Sequence, residues 1–97
     1  MDNSLNYTEI IKKTLREATV NQPSLQAIKI YPVFDSDSGN FLVLATGIEQ
    51  KKWINTILFH ARLVDEGKII IEQDNFEEGL TYSLIKAGIK NEDIVFS

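Results

Sequence analysis

Phe59-His60-Ala61-Arg62-Leu63-Val64-Asp65-Glu66-Gly67-Lys68-Ile69-Ile70-Ile71-Glu72-Gln73-Asp74 decides the fold. Two apolar runs flank a short acidic turn that carries a glycine. So short a link forces the runs to pair antiparallel. A two-residue Glu66-Gly67 loop would pair Ala61 with Glu72 and Leu63 with Ile70. A three-residue Asp65-Glu66-Gly67 loop pairs Leu63 with Ile69 and Ala61 with Ile71. The second keeps the apolar sets together, and Gly67 supplies the left-handed residue such loops require. That register places His60 opposite Glu72 and Arg62 opposite Ile70.

Working upstream, the same hairpin logic applies twice more. Residues 26–35 read as a strand, with Pro32 marking an edge or a bulge because proline cannot donate to a ladder. Ser36-Asp37-Ser38-Gly39 is a turn cluster. Pairing Asp35 with Asn40 sets Phe34 beside Phe41 and Ile30 beside Ala45, which keeps one apolar face intact. Strand two is expected over Phe41–Glu49 and strand three over Trp53–Val64, joined by Gln50-Lys51-Lys52. Strand four runs from Lys68 to Asp74.

A helix is expected on each side of these strands. At the N-terminal end, Asn6-Tyr7-Thr8-Glu9 has capping-box form, with Leu5 and Ile10 as a hydrophobic staple. Tyr7, Ile10, Ile11, Leu15 and Ala18 then recur at helical spacing. Asn21-Gln22-Pro23-Ser24 ends that helix. The second helix is expected from Asp74 or Asn75 to Ala87, with acids at its positive end and Phe76, Leu80, Leu84 and Ala87 as its apolar stripe. Gly88 suits the left-handed position after it, and Ile89 packs back on its last turn. Ile94-Val95-Phe96 is a further apolar segment suited to an edge. The predicted fold is α+β: an N-terminal helix, a four-stranded antiparallel β-meander and a C-terminal helix, in one domain over residues 1–97.

Composition bounds the function. The 97 residues carry 10 basic and 14 acidic side chains, a net charge of −4. One small domain is all this length holds. The acidic balance argues against a nucleic-acid-binding surface, which shows a basic footprint. With no cysteine, disulfides and thiolate metal sites are excluded. No run of about 18 apolar residues exists to span a membrane, and the first residues lack the pattern of a signal peptide. A cytoplasmic protein is the default expectation.

Candidate chemistry is sparse. Asp35-Ser36-Asp37-Ser38-Gly39-Asn40 resembles a calcium loop, but its glycine falls one place early and Thr46 stands where the closing acid belongs. These are ordinary turn residues. His60 is the only histidine. With Glu72 as orienting partner it has the makings of a general acid/base, yet no nucleophile completes the set. A cross-strand ion pair or a partner contact explains it more simply. Asp74, Glu77 and Glu78 read as helix-start acids rather than metal ligands. Lys12, Lys13 and Arg16, like Lys51 and Lys52, read as solvated surface. No cofactor is expected.

The faces of the sheet are more informative. One carries Ile28, Ile30, Phe34, Phe41, Val43, Ala45, Trp53, Ile57, Phe59, Leu63, Ile69 and Ile71. The other carries Tyr31, Val33, Leu42, Leu44, Ile48, Ile54, Leu58, Val64 and Ile70. Both are too apolar to stand bare in water. Either one helix covers each face, or both helices cover the first and another protein covers the second. The second arrangement makes Tyr31, Leu44, Ile54, Leu58, His60, Arg62 and Ile70 an interface, for a homo-oligomer or another partner.

The order of these motifs resembles the XisI family. Leu58 to Asp74 is similar to the family's histidine-bearing strand, D-G-K-I-W-I-Q-like hairpin and Q-D end. Leu84 to Val95 is similar to its L-x-x-x-G-V-x-K-x-D-I-V-like ending. Tyr7-Thr8-Glu9-Ile10-Ile11-Lys12 and Val33-Phe34-Asp35 fit as well. Departures are Ile48 and Ile70, where members usually have Trp, and Asp74-Asn75-Phe76-Glu77, where they have Asp-Gly-Thr-Glu. Members also usually continue past the position of Phe96 with a tail of Pro and basic residues. This sequence as given ends at Ser97. The resemblance implies a controlling factor for excision of the fdxN DNA element in heterocyst-forming cyanobacteria, acting beside a separate recombinase and a partner factor, XisH. It implies no catalytic residues. The expectation is a non-enzymatic accessory protein working through protein contacts, with an XisH-like partner. The alternatives are a DNA-binding accessory protein and a small enzyme using His60 and Glu72.

Overall fold

The computed structural model describes residues 3–20, 27–64 and 67–97. The helix stop at Asn21-Gln22-Pro23-Ser24, the strand start at Gln26 and the Asp65-Glu66 part of the tight turn lie outside them. In chain order come α1 (Asn3–Val20), β1 (Ile28–Asp35), β2 (Asn40–Glu49), β3 (Lys52–Leu63), β4 (Ile69–Asp74), α2 (Leu80–Lys86), a single 3₁₀ turn (Asn91–Asp93) and β5 (Ile94–Phe96).

The hairpins pair as the apolar alternation requires. Phe34 faces Phe41 and Ile30 faces Ala45; Leu63 faces Ile69 and Ala61 faces Ile71. At the first turn the Asp35 carboxylate accepts from the Asp37 amide and the Ser38 hydroxyl, so these side chains serve the turn itself.

The sheet departs from a four-stranded meander. It has five strands in the order β1-β2-β3-β4-β5, and β5 runs parallel to β4. A parallel neighbour needs a crossover of a dozen or more residues. The segment from Asn75 to Asp93, with α2 inside it, provides one. The apolar edge segment Ile94-Val95-Phe96 is thus a strand of a mixed sheet.

Both helix starts differ from their sequence signals. α1 already begins at Asn3, so the cap and staple expected at Asn6 and Leu5 fall within the helix. Nothing in Asn3-Ser4-Leu5-Asn6 stops a helix from extending upstream. α2 begins only at Leu80, because Gly79 has φ 81°, which no helical residue adopts. Asp74 nevertheless caps it from the end of β4. Its carboxylate accepts from the Leu80 amide (3.1 Å), the Thr81 amide (2.9 Å) and the Thr81 hydroxyl (2.7 Å). Glu77 and Glu78 sit exposed in the turn before the helix. At the other end, Ile89 donates to Leu84 and Gly88 to Ile85, closing a Schellman motif with Ile89 buried.

One core results. Tyr7, Ile11 and Leu15 of α1 and Leu80 and Leu84 of α2 pack with Phe41, Val43, Phe59, Ala61, Ile69 and Ile71 of the strands. All these strand residues share one face, so both helices lie on the same side. The Tyr7 hydroxyl donates to Asp93, which also receives Lys68 at 3.1 Å. This ties α1, the start of β4 and the approach to β5 at one corner.

Candidate protein-interaction face

Cross-strand partners share a face. With both helices on the Phe41-Val43-Ala45 side, no described helix lies on the other. There β1 presents Lys29, Tyr31, Val33 and Asp35, each exposed. β2 adds Leu42, Leu44, Thr46 and Ile48, and β4 and β5 add the paired Ile70 and Val95.

A bulge in β3 decides which of its residues join them. Val43 pairs with Phe59, but Leu44 pairs with Ile57, so Leu58 is the extra residue. Beyond it the faces exchange. Ile57 and Trp53 pair with Leu44 and Ile48 and stand on the open face, not with the core as expected. Ile54 pairs with Gly47 on the helical side, and Leu58 packs against the core. Neither belongs to the open face. Of the seven residues expected there, Tyr31, Leu44, His60, Arg62 and Ile70 share it, and Trp53 and Ile57 replace the other two. Trp53 is 82% exposed, the most of any large apolar residue described.

A second bulge alters the polar corner. Ala61 pairs with Ile71, but His60 pairs with Gln73, which leaves Glu72 unpaired in the ladder. The expected His60–Glu72 pairing does not form. His60 Nε2 lies 2.8 Å from Asn40 Oδ1, while Glu72 accepts from Arg62 Nε at 3.0 Å. Hydrogen bonds from Ser97, then from Arg62, hold the Glu72 carboxyl below its ordinary pKa. The imidazole is held by Asn40, and the carboxylate by Arg62. Two surface depressions among the described residues lie elsewhere, one beside Phe76-Glu77-Glu78 and one along Glu9, Lys13 and Glu17 of α1. Among the described residues no three His, Asp or Glu side chains gather as a metal site.

What this arrangement offers is contact: a broad apolar sheet with one exposed indole and a neutral ion pair at its corner. The family model for XisI protein matches residues 1–97. The chain belongs to the XisI protein family. Two solved members share its fold. A XisI-like protein from Anabaena variabilis ATCC 29413 superposes with a TM-score of 0.86 at 24% identity, covering 95% of this chain and 84% of that one. The fdxN element excision controlling factor XisI from the same organism gives 0.78 at 24% identity, covering 97% and 90%. No curated protein matches the chain. The family motifs meet at the corner described above: Tyr7 of the opening, Lys68 of the hairpin and Asp93 of the ending are joined by hydrogen bonds. No described helix is long and apolar enough to cross a membrane.

Proposed function

We propose that this protein is an accessory factor in programmed excision of a DNA element, acting through protein contacts rather than by catalysis. The observation that carries the reading is the sheet face that no described helix covers. Contiguous apolar surface of that kind marks contact sites. The excision role comes from the relative named as an excision controlling factor. The net charge of −4 supports a protein partner over the DNA itself. His60 and Glu72 are each engaged by other side chains, which supports a non-catalytic role.

An XisH-like protein is the proposed partner. Co-expression of this chain with an XisH-like protein tests it: the two co-purify, and an element-excision reporter needs both. Leu44→Asp, at the middle of the open face, abolishes the complex. Absence of a complex with the native chain, or one indifferent to every charge placed on this face, overturns the reading. Shifting of element DNA by the purified chain at low salt favours the DNA-binding alternative instead.

A further inference from the structure

We infer that the open face is occupied by a second copy of this chain, sheet against sheet about a twofold axis. The inference rests on the proposed reading of this face as a contact surface and assigns a second copy as its occupant; the XisH-like partner then binds the dimer, and Leu44→Asp loses that partner by splitting the dimer.

Charge is the first argument. The strands put four charged residues on this face, Lys29, Asp35, Arg62 and Glu72, and they sum to zero in a chain of net −4. Two copies repel through most of their surfaces, but not through this one.

Placement is the second. Lys29 lies opposite Thr46 near one end of β1, and Asp35 opposite Asn40 at the other. Tyr31 and Val33 lie between them. A twofold axis parallel to the sheet and perpendicular to its strands, passing over β1 between Tyr31 and Val33 midway between the two sheets, stacks two copies of β1 in opposite directions. Each Lys29 then faces the Asp35 end of the other copy. Tyr31 meets Val33, and on β2 Leu44 meets Leu42. Such self-complementarity is what an isologous interface requires. On β3 Asn55 meets Arg62, and Trp53, one pair further out, is carried to the other copy's Val64.

Size is the third. The molecule measures 49 × 23 × 20 Å. Its broad side is comparable with the ~800 Å² per partner that a stable interface buries.

Sedimentation equilibrium of the purified chain tests the inference. The native protein sediments at twice 11.0 kDa at micromolar concentration. Lys29→Asp sets two aspartate–aspartate contacts across the axis and weakens the dimer about tenfold or more. Lys29 is exposed, so the variant keeps its native circular dichroism. The cysteine-free sequence permits a second measurement. A bis-maleimide of about 10 Å, the spacing of stacked sheets, links Val33→Cys chains. It does not link Ser83→Cys chains, where the cysteine lies on the exposed side of α2. A native chain that stays monomeric at about 100 μM, a dimer indifferent to Lys29→Asp, or equal linking of both cysteine variants overturns the inference. A monomer that still binds a different protein through Leu44 overturns only the second-copy assignment and leaves the contact surface standing.

Discussion

Asp74 shows how much one side chain organises here. Its two oxygens engage the Leu80 and Thr81 amides and the Thr81 hydroxyl, so the last residue of β4 also starts α2. Asp74→Ala lowers stability by about 2 kcal/mol, the upper end for a lost cap, read as a shift in the urea midpoint. The sequence marks Asp74 as a helix-start acid, and it is one. The gap of six residues to its first helical partner is hidden, because Gly79 breaks the helix between them. Leu58 makes the opposite point. Ile57-Leu58-Phe59 is apolar throughout, so a period of two cannot say which of the three turns away from the core. The bulge settles it, and Leu58 packs against the core. Leu58→Asp therefore costs folding, by about 3 kcal/mol in denaturant titration, and does not act as a surface mutation. Leu44→Asp, on the open face, keeps the native circular dichroism.

At the scale of elements, the β2–β3 hairpin carries a local conflict. Its two-residue loop, Gln50-Lys51, has φ of 51° and 67°, left-handed values that favour asparagine and glycine. The paired Gln50→Asn and Lys51→Gly substitutions stabilise the protein by about 1 kcal/mol, measured as a rise in melting temperature. The β1–β2 and β3–β4 hairpins were legible because each joins a turn cluster to two alternating strands, whereas Gln50-Lys51-Lys52 marks the β2–β3 link only as a polar break and the bulge in β3 hides its faces. The fifth strand was only half legible. Ile94-Val95-Phe96 stands out as apolar, but its partner Ile69-Ile70-Ile71 lies across a helix, and local alternation does not report a parallel neighbour that far away. The same limit hid which face the helices cover. Either placement satisfies both apolar stripes, and only the assembled core distinguishes them.

Across the whole molecule, three carboxylates respond to acid in the same direction. Hydrogen bonds from Ser38 hold Asp35 low, those from Ser97 and Arg62 hold Glu72 low, and those from Tyr7 and Lys68 hold Asp93 low. A depressed folded pKa gives stability that is present above the unfolded value and lost as pH falls through the folded one. For Asp93 the ordinary value is 3.8, so its share begins to fall below about pH 4 and is gone only below its lowered folded value. Melting temperature followed from pH 7 to 2 falls for the native chain, and Asp93→Asn flattens part of that fall. Tyr7 acts at the other extreme. Burial, then its bond to Asp93, raises its pKa above 10.0, so ionising it opposes the fold in strong alkali. The sheet's margins bear on how such a molecule stays in solution. β1 is one edge and carries Pro32, which offers no amide to an incoming strand; β5, the other, is three residues long. Edges blunted in this way resist strand-by-strand growth into fibrils. In the proposed dimer the sticky surface framed by these unreceptive rims is satisfied by stacking, and stacking about a twofold axis ends after two molecules.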